Sequence, residues 1–167
     1  VVNTKKTSPV ENSIHQHRYF TNVLKKYLDG NNFVKYWQLK CDLKYNGKVF
    51  KNQQHDFIKY LNFIKGTTRK EFNSWSKDQR IAYLINAYNA LTIELIIKNY
   101  PIDSIKDTGS LFSSAWSKKI FSILDGSIKT LDTIEHDVLR KEKEYKDFRH
   151  HAALNCASYS CPVLRKE

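Results

Sequence analysis

The residue types best suited to chemistry are concentrated near the end of the chain. Cys156 and Cys161 stand in the run CASYSC, the pair His150-His151 precedes that run, and His136 lies further upstream. A cysteine attacks a carbonyl carbon as its thiolate, and a neighbouring imidazole can take up the proton that the thiol releases. The sequence therefore predicts cysteine-dependent chemistry in this part of the chain.

The choice of the base depends on how residues 150–156 fold. Their alternating pattern, HHAALNC, predicts a short buried strand. In a regular strand His151 points away from the face of Cys156, and His150 shares that face but lies roughly 20 Å away. His136, which comes from another element, is therefore the better general base, and His151 replaces it only if the chain bends.

Three other interpretations of the same cysteines stay open at this point. A free cysteine in a strand more often fills the core as a small apolar side chain. In an oxidising compartment Cys156 and Cys161 could close a disulfide, which would silence the thiol. Together with His136 and His151 they could bind zinc, but the short paired spacing of structural zinc motifs is absent. We therefore expect no metal and no cofactor.

The longest predicted helix runs from about residue 77 to 99 and is expected to be buried. Ser76 and Gln79 predict a capping box at its start. Asn86 and Asn89, three residues apart, lie on neighbouring parts of one face. Either they hydrogen-bond nearby loop backbone, or one of them orients or polarises a reacting group. The helix is indicated by apolar residues at spacings of three and four, namely Ile81, Leu84, Ile85, Tyr88, Leu91, Leu95 and Ile96.

Before this helix the sequence predicts a flexible lead-in at 1–12 and further helical segments. One helix is expected from residue 13 to about 28, and a second over 55–65. Residues 31–42 are ambiguous between a short strand and a helix that begins near Lys35. The N-terminal part is therefore predicted to be mainly helical.

After the long helix the pattern changes to β-structure. An Asp-Gly turn between two β-prone runs predicts a hairpin with strands at about 119–124 and 127–131. The buried strand at 150–156 is expected to follow. The predicted class is therefore α+β, with helices first, in a single domain over 13–167.

Between the hairpin and the strand, Asp132 and Glu135 form a second capping-box pattern that opens a helix to about Lys141. Glu135 adjoins His136 but lies about 100° round the helix from it, so it is not placed to orient that ring. We therefore assign Glu135 to the capping box, where it supports the site without taking part in the reaction.

Charge and composition narrow the classes of partner. The 167-residue chain has 28 Lys and Arg against 17 Asp and Glu, a formal net charge of +11. That excess, which includes Lys118 and Lys119, favours salt-dependent contacts with acidic partners. Nucleic acid is not favoured, because no nucleic-acid-binding motif is present. No apolar run is of the length needed to cross a bilayer, so no transmembrane segment is expected.

Five ordered blocks of the sequence form a recognisable set. They are WSKDQRIAYLINAYNALT at 75–92, YPIDSIKD at 100–107, WSKKIF at 116–121, LDTIEHDVLR at 131–140 and HAALNCASYSCPVLR at 151–165. Together they resemble the family designated domain of unknown function 547, and the resemblance runs from about Phe33 to the C-terminus. Members usually continue beyond the CP-x-L-R motif, so we expect this chain to lack a C-terminal part.

The resemblance implies bacterial proteins that are exported or lipid-anchored, plant proteins that carry a coiled coil, and no settled activity. It also implies a fold related to papain-like thiol enzymes. We therefore expect export after removal of a signal peptide, with a cytoplasmic location as the alternative. The family pattern carries over onto Asn86, Asn89, Glu135, His136, His151, Cys156 and Cys161. Plant members keep the cysteine that matches Cys156 more reliably than the other, which makes Cys156 the nucleophile.

These observations lead to one function hypothesis and one alternative. The first is a cysteine-dependent hydrolase, or an acyl or peptidyl transferase, that acts on an amide or thioester bond. Cys156 attacks, and His136 accepts the proton and returns it to the leaving group. Asn86, or backbone amides near Ala157, stabilise the oxyanion, and His151 is an alternative base or an orienting group. The alternative is a non-catalytic binding domain whose basic surface engages an acidic partner.

Overall fold

The structure, a computed structural model, describes four stretches of the chain: residues 9–109, 114–145, 147–158 and 161–166. The α-helices are α1 Pro9–Tyr27, α2 Tyr36–Leu43, α3 Asp56–Gly66, α4 Arg69–Asn73 and α5 Lys77–Asn99. They are followed by a first 3-10 helix Ile105–Thr108, a π-helix Thr133–Leu139 and a second 3-10 helix Phe148–Ala153. These stretches contain no β-strand, so the described part of the molecule is helical.

Helix α5 lies at the centre of the hydrophobic core, as its sequence predicts. The Ser76 hydroxyl accepts a hydrogen bond from Gln79 N at 3.3 Å, and Ser76 N donates to Gln79 Oε1 at 2.9 Å, so the capping box is confirmed. Every residue over 87–97 is buried. By length and composition α5 is also apolar enough to cross a membrane, but 72% of its most apolar window is packed inside the protein. Burial on all sides is typical of a central core helix.

The helices before α5 follow the predicted order with shifted ends. Helix α1 begins at Pro9, earlier than predicted, and packs on α3. The ambiguous stretch 31–42 makes one antiparallel bridge, between Leu28 and Val34, and then enters α2. Helix α3 is confirmed, with His55 as its N-cap. Helix α4 is not predicted from the sequence, because its five residues are too few to show a helical period.

The predicted α+β class is wrong, and the hairpin is the first reason. In place of strands at 119–124 and 127–131, the structure has a single antiparallel bridge between Ile123 and Ile128, with N–O distances of 3.0 and 3.3 Å. Both isoleucines are buried, and the next helical turn begins at Leu131. A two-stranded hairpin by itself is marginally stable. The segment is therefore held by burial of the two isoleucines among the helices, and it forms one bridge instead of two strands.

The predicted core strand at 150–156 is also wrong. The chain forms the second 3-10 helix here and then continues without a strand partner. The Asn89 side chain on α5 donates to Ala153 O at 3.0 Å and accepts from Asn155 N at 2.8 Å. The backbone polar groups of this segment thus bond to one buried side chain instead of to a neighbouring strand.

The predicted capping box of Asp132 with Glu135 is wrong as well. Asp132 already has helical dihedral angles, φ −56° and ψ −39°, and its side chain makes no capping hydrogen bond. An N-cap residue needs extended backbone, which explains the failure. The Thr130 hydroxyl accepts from Thr133 N at 3.0 Å instead. The helix itself is confirmed, although Thr133–Leu139 has π geometry.

Candidate functional site

Five of the seven predicted site residues line one cavity of about 240 Å³, which we call the cysteine cavity. They come from the π-helix, the second 3-10 helix and the loop that follows it, and they are Glu135, His136, His151, Cys156 and Cys161. The remaining lining residues are Tyr88, Trp116, Asp132 and Leu154. The structure therefore brings the predicted cysteines, histidines and glutamate together.

The two cysteines of this cavity are bonded to each other. The distance from Cys156 Sγ to Cys161 Sγ is 2.04 Å, so the two residues form a disulfide. This is one of the alternatives that the sequence analysis considered. Cys41, on α2, is an exposed free thiol. In the disulfide form Cys156 is not a nucleophile, and any thiol chemistry requires prior reduction.

The turn between the cysteines is held by its own polar groups. Asn155 Oδ1 accepts from Ala157 N at 2.9 Å, and Asn155 Nδ2 donates to Pro162 O at 2.8 Å. Ala157 has φ of +60°, the left-handed region that non-glycine residues seldom adopt. Because Ala157 N is already bonded, it is not free for the predicted oxyanion role in this conformation.

The π-helix places Arg140 beside Glu135. Residues five apart lie about 140° apart around an α-helix, but a π-helix pairs residue i with i+5. Arg140 Nη2 donates to Glu135 Oε1 at 2.7 Å and to His151 Nδ1 at 2.9 Å. His151 Nδ1 lies 3.3 Å from the same carboxylate oxygen. Arg140, which the sequence analysis does not single out, therefore positions both side chains.

The two histidines of the cavity differ in their surroundings. His151 Nδ1 accepts from the Arg140 guanidinium, which fixes the ring and leaves Nε2 as the protonated nitrogen of the neutral form. The His136 side chain is 46% exposed, and its Nε2 lies 4.0 Å from Asp132 Oδ1. Within the described residues His136 makes no hydrogen bond, so its ring nitrogens are available to a bound molecule or to a thiol.

Two aromatic residues that the sequence analysis does not assign to the site also line the cysteine cavity. The Tyr88 hydroxyl and the Trp116 indole Nε1 are buried, and neither has a hydrogen-bond partner in the described part of the chain. Burial, and then the charge and the proximity of the Glu135 carboxylate, raise the pKa of the Tyr88 hydroxyl above its ordinary value, although the two groups do not have the geometry of a hydrogen bond. The sequence holds a signal for both, since Tyr and Trp carry a polar group that needs a partner when buried.

The two predicted asparagines lie outside the cysteine cavity. Asn89 holds the backbone of Ala153 and Asn155, so the structural interpretation is confirmed for it. Asn86 lines a second cavity of about 370 Å³, where its Nδ2 is 3.3 Å from His17 Nδ1. The structure does not bring Asn86 to Cys156.

A larger cavity of about 500 Å³ adjoins the cysteine cavity. The two share Glu135, His151 and Leu154. His150, which lines only the larger one of this pair, has a buried Nδ1 without a partner in the described residues. A molecule bound at Cys156 could extend past His151 into this additional space.

Several of the groups that could bind a metal are already engaged with one another. Both cysteines of the cavity are bonded, and Glu135 pairs with Arg140. Over residues 9–109, 114–145, 147–158 and 161–166 there is no group of three His, Cys, Asp or Glu side chains that could hold a metal ion.

The fold and the cavity define a helical protein with a cysteine and histidine site. The model of the family described as "protein of unknown function, DUF547" matches residues 72–166, and the chain belongs to this family. The resemblance seen in the sequence is confirmed over these residues, which include every residue that lines the cysteine cavity. No curated protein and no solved structure matches the chain.

Proposed function

We propose that the protein is a cysteine-dependent hydrolase or acyl transferase that acts on an amide or thioester bond, with Cys156 as its nucleophile. The observation that carries this proposal is the cysteine cavity, where Cys156 shares one lining with His136 and His151. A thiol beside an imidazole at the wall of an open cavity has the components that nucleophilic catalysis requires.

The reaction begins with the reduced protein. A dithiol reductant opens the disulfide by exchange and leaves Cys156 and Cys161 as thiols. Cys156 then passes its proton to His136, and the thiolate forms a bond to the substrate carbonyl carbon. When the tetrahedral intermediate collapses, the proton returns from His136 to the leaving amine or thiolate. Water, or an acceptor amine or alcohol, releases the acyl group from Cys156.

His136 is the base in this proposal, and His151 has an orienting role. The hydrogen bond from Arg140 occupies His151 Nδ1, whereas His136 is accessible and carries no such bond in the described residues. Glu135 is nearly buried and accepts a hydrogen bond from Arg140, and Arg140 in turn donates to His151 Nδ1. This assignment predicts that loss of His136 affects thiol activation more than loss of His151.

Alkylation of the reduced protein by iodoacetamide tests the proposal. Labelling is followed against pH and read for each cysteine by mass spectrometry, with exposed Cys41 as the internal reference. Cys156 is expected to label with a midpoint below about 8.5, the ordinary thiol pKa, and the shift is expected to disappear in His136→Ala but to persist in His151→Ala. Slow labelling of Cys156 at every pH in the folded, reduced protein would refute the activated thiol.

A non-catalytic binding domain is the second candidate function. It is favoured by the disulfide, which withholds the nucleophile in this form, and by the net charge of +11. Lys118 Nζ donates to Thr108 O, so the exposed neighbour Lys119 is the better charge to reverse. Binding to poly-glutamate is expected to fall with salt and in Lys119→Glu but to persist in Cys156→Ser. Binding that ignores both salt and Lys119→Glu would refute this candidate.

We propose that the protein is exported, because its disulfide favours an oxidising compartment. A disulfide such as Cys156–Cys161 persists in oxidising compartments and is kept reduced in the cytosol. Trapping of thiols in intact cells with a membrane-permeant alkylating agent tests this. Both cysteines should escape labelling in the native host, and full labelling would place the protein in a reducing compartment.

A further inference from the structure

Two side chains that line the cysteine cavity each carry a buried hydrogen-bond donor that makes no hydrogen bond in the described part of the chain. The donors are the Tyr88 hydroxyl, on a fully buried side chain of α5, and the Trp116 indole N–H. A buried donor without a partner is costly and rare in native proteins, and it calls for an unseen ligand or water. Both side chains belong to the lining of a cavity of about 240 Å³.

The chemistry of the two donors defines what they can bind. Each has an N–H or O–H to give, and the raised pKa of Tyr88 keeps its hydroxyl protonated at neutral pH. A carbonyl oxygen has two lone pairs and can accept from both donors at once. Asp132 and Glu135 line the same cavity, so a neutral carbonyl is accepted more readily than a carboxylate.

We propose that the Tyr88 hydroxyl and the Trp116 indole N–H bind the carbonyl oxygen of a neutral amide, ester or thioester beside Cys156. This inference rests on the proposed function and deepens it by naming the substrate class and the groups that receive the oxygen. It also fills a role that other residues leave vacant, because Asn86 lines a different cavity and Ala157 N donates to Asn155.

The two donors act where charge develops. As Cys156 Sγ bonds to the carbonyl carbon, the π electrons of the C=O bond move to the oxygen, and both donors stabilise the resulting negative charge. On collapse the C=O bond re-forms, the bond to the leaving group breaks, and His136 returns the proton. Stabilisation of this kind affects acyl transfer but not alkylation, in which no oxyanion forms.

That difference supplies the test. The reduced protein is treated with p-nitrophenyl acetate, which acylates the thiol, and separately with iodoacetamide, which alkylates it. Tyr88→Phe and Trp116→Phe are each expected to lower the rate of Cys156 acylation by about 100-fold while alkylation stays unchanged. The matched control is Trp75→Phe, since Trp75 Nε1 is also buried without a partner but the residue packs among Phe63, Phe72 and Tyr83. It should change neither rate.

The outcomes separate the two proposals. Acylation at the wild-type rate in both Tyr88→Phe and Trp116→Phe, with rapid alkylation of Cys156, would overturn the carbonyl site and leave the thiol mechanism standing. An equal loss of both rates would show that the substitutions disturb the thiol itself, which also overturns the inference. Alkylation of wild-type Cys156 no faster than that of Cys41 would overturn the proposed function and this inference with it.

Discussion

The helical half of the molecule, which contains α1 to α5, and its irregular half, the described residues after α5, use histidine in opposite ways. His17 on α1 and His55 at the start of α3 each contact a buried tyrosine hydroxyl at 2.8 Å, between packed helices. His136 and His151, in the irregular half, have side chains that are 46% and 65% exposed and line the cysteine cavity. One residue type thus holds helices together in one region and stays accessible for chemistry in the other.

The difference is one of burial and of partners. Desolvation lowers the pKa of His17 to about 4. Its Nδ1 contacts both the Tyr60 hydroxyl and the Asn86 amide nitrogen, two neutral donors, so the ring is an acceptor in the folded state. In the irregular half the partners are charged, Arg140 and Glu135. The site is therefore built from side chains that fix one another, and the hydrogen bonds of Asn89 are among the contacts that attach it to the helical half.

The largest expected effect is on that attachment. Asn89→Ala should reduce the free energy of unfolding by about 2–4 kcal/mol, because Ala153 O and Asn155 N both lose their partner. Urea unfolding measures the loss. Asn99→Ala, at the exposed end of α5, is the control, because it removes only one hydrogen bond, to Leu95 O at 2.7 Å, and should cost about 0.5–1 kcal/mol. Equal effects of the two substitutions would mean that Asn89 does not hold the irregular half in place.

The partly buried His17 should make the free energy of unfolding depend on pH. The pKa of His17 is about 4 in the folded protein against an ordinary 6.5, so the unfolded chain binds more protons between these values. The contribution of His17 to the free energy of unfolding is therefore complete above pH 6.5. It falls by up to about 3 kcal/mol as the pH drops towards 4. His55, whose pKa burial also lowers, acts in the same direction. The contribution of His17 is thus the difference between wild type and His17→Gln.

Equilibrium unfolding at several pH values measures this difference. Glutamine can still accept from Tyr60 but does not titrate, so His17→Gln should have the flatter profile over pH 4–6.5. Parallel profiles for wild type and His17→Gln would contradict a neutral, partly buried His17.

Two tyrosines on α5 should contribute unequally to the free energy of unfolding, since one packs in the helical half and the other lines the cysteine cavity. The Tyr83 hydroxyl donates to Ile64 O at 2.8 Å, so Tyr83→Phe should cost about 1–2 kcal/mol. The Tyr88 hydroxyl has no partner in the described residues, and Tyr88→Phe should change stability by less than about 0.5 kcal/mol. Urea unfolding of the ligand-free protein compares them. A similar loss in both would mean that the Tyr88 hydroxyl is already satisfied and not free for a ligand.

The sequence was informative where local pattern determines structure. The period of α5 and the bonds of Ser76 with Gln79 are properties of a few adjacent residues, and both were predicted. The strands failed because a strand needs a partner, and here the Asn89 side chain takes that place. The pairing of Arg140 with Glu135 depends on a π register that no short-range pattern reveals. The sequence likewise predicts the cysteines and histidines of the cavity but not Tyr88 and Trp116, because those two residues come from parts of the chain distant from the cysteines.

The smallest expected effect concerns two capping patterns that look alike in the sequence but differ in the structure. Ser76 with Gln79 and Asp132 with Glu135 have the same spacing, but only Ser76 has extended backbone and accepts from the residue three positions on. Ser76→Ala should therefore cost about 1 kcal/mol and Asp132→Ala less than about 0.5 kcal/mol in urea unfolding. Thr130→Ala, which removes the hydroxyl that accepts from Thr133 N, should cost about as much as Ser76→Ala. If Asp132→Ala were the more costly of the two changes near the π-helix, the helix would begin where its sequence predicts and the register that aligns Arg140 with Glu135 would be wrong.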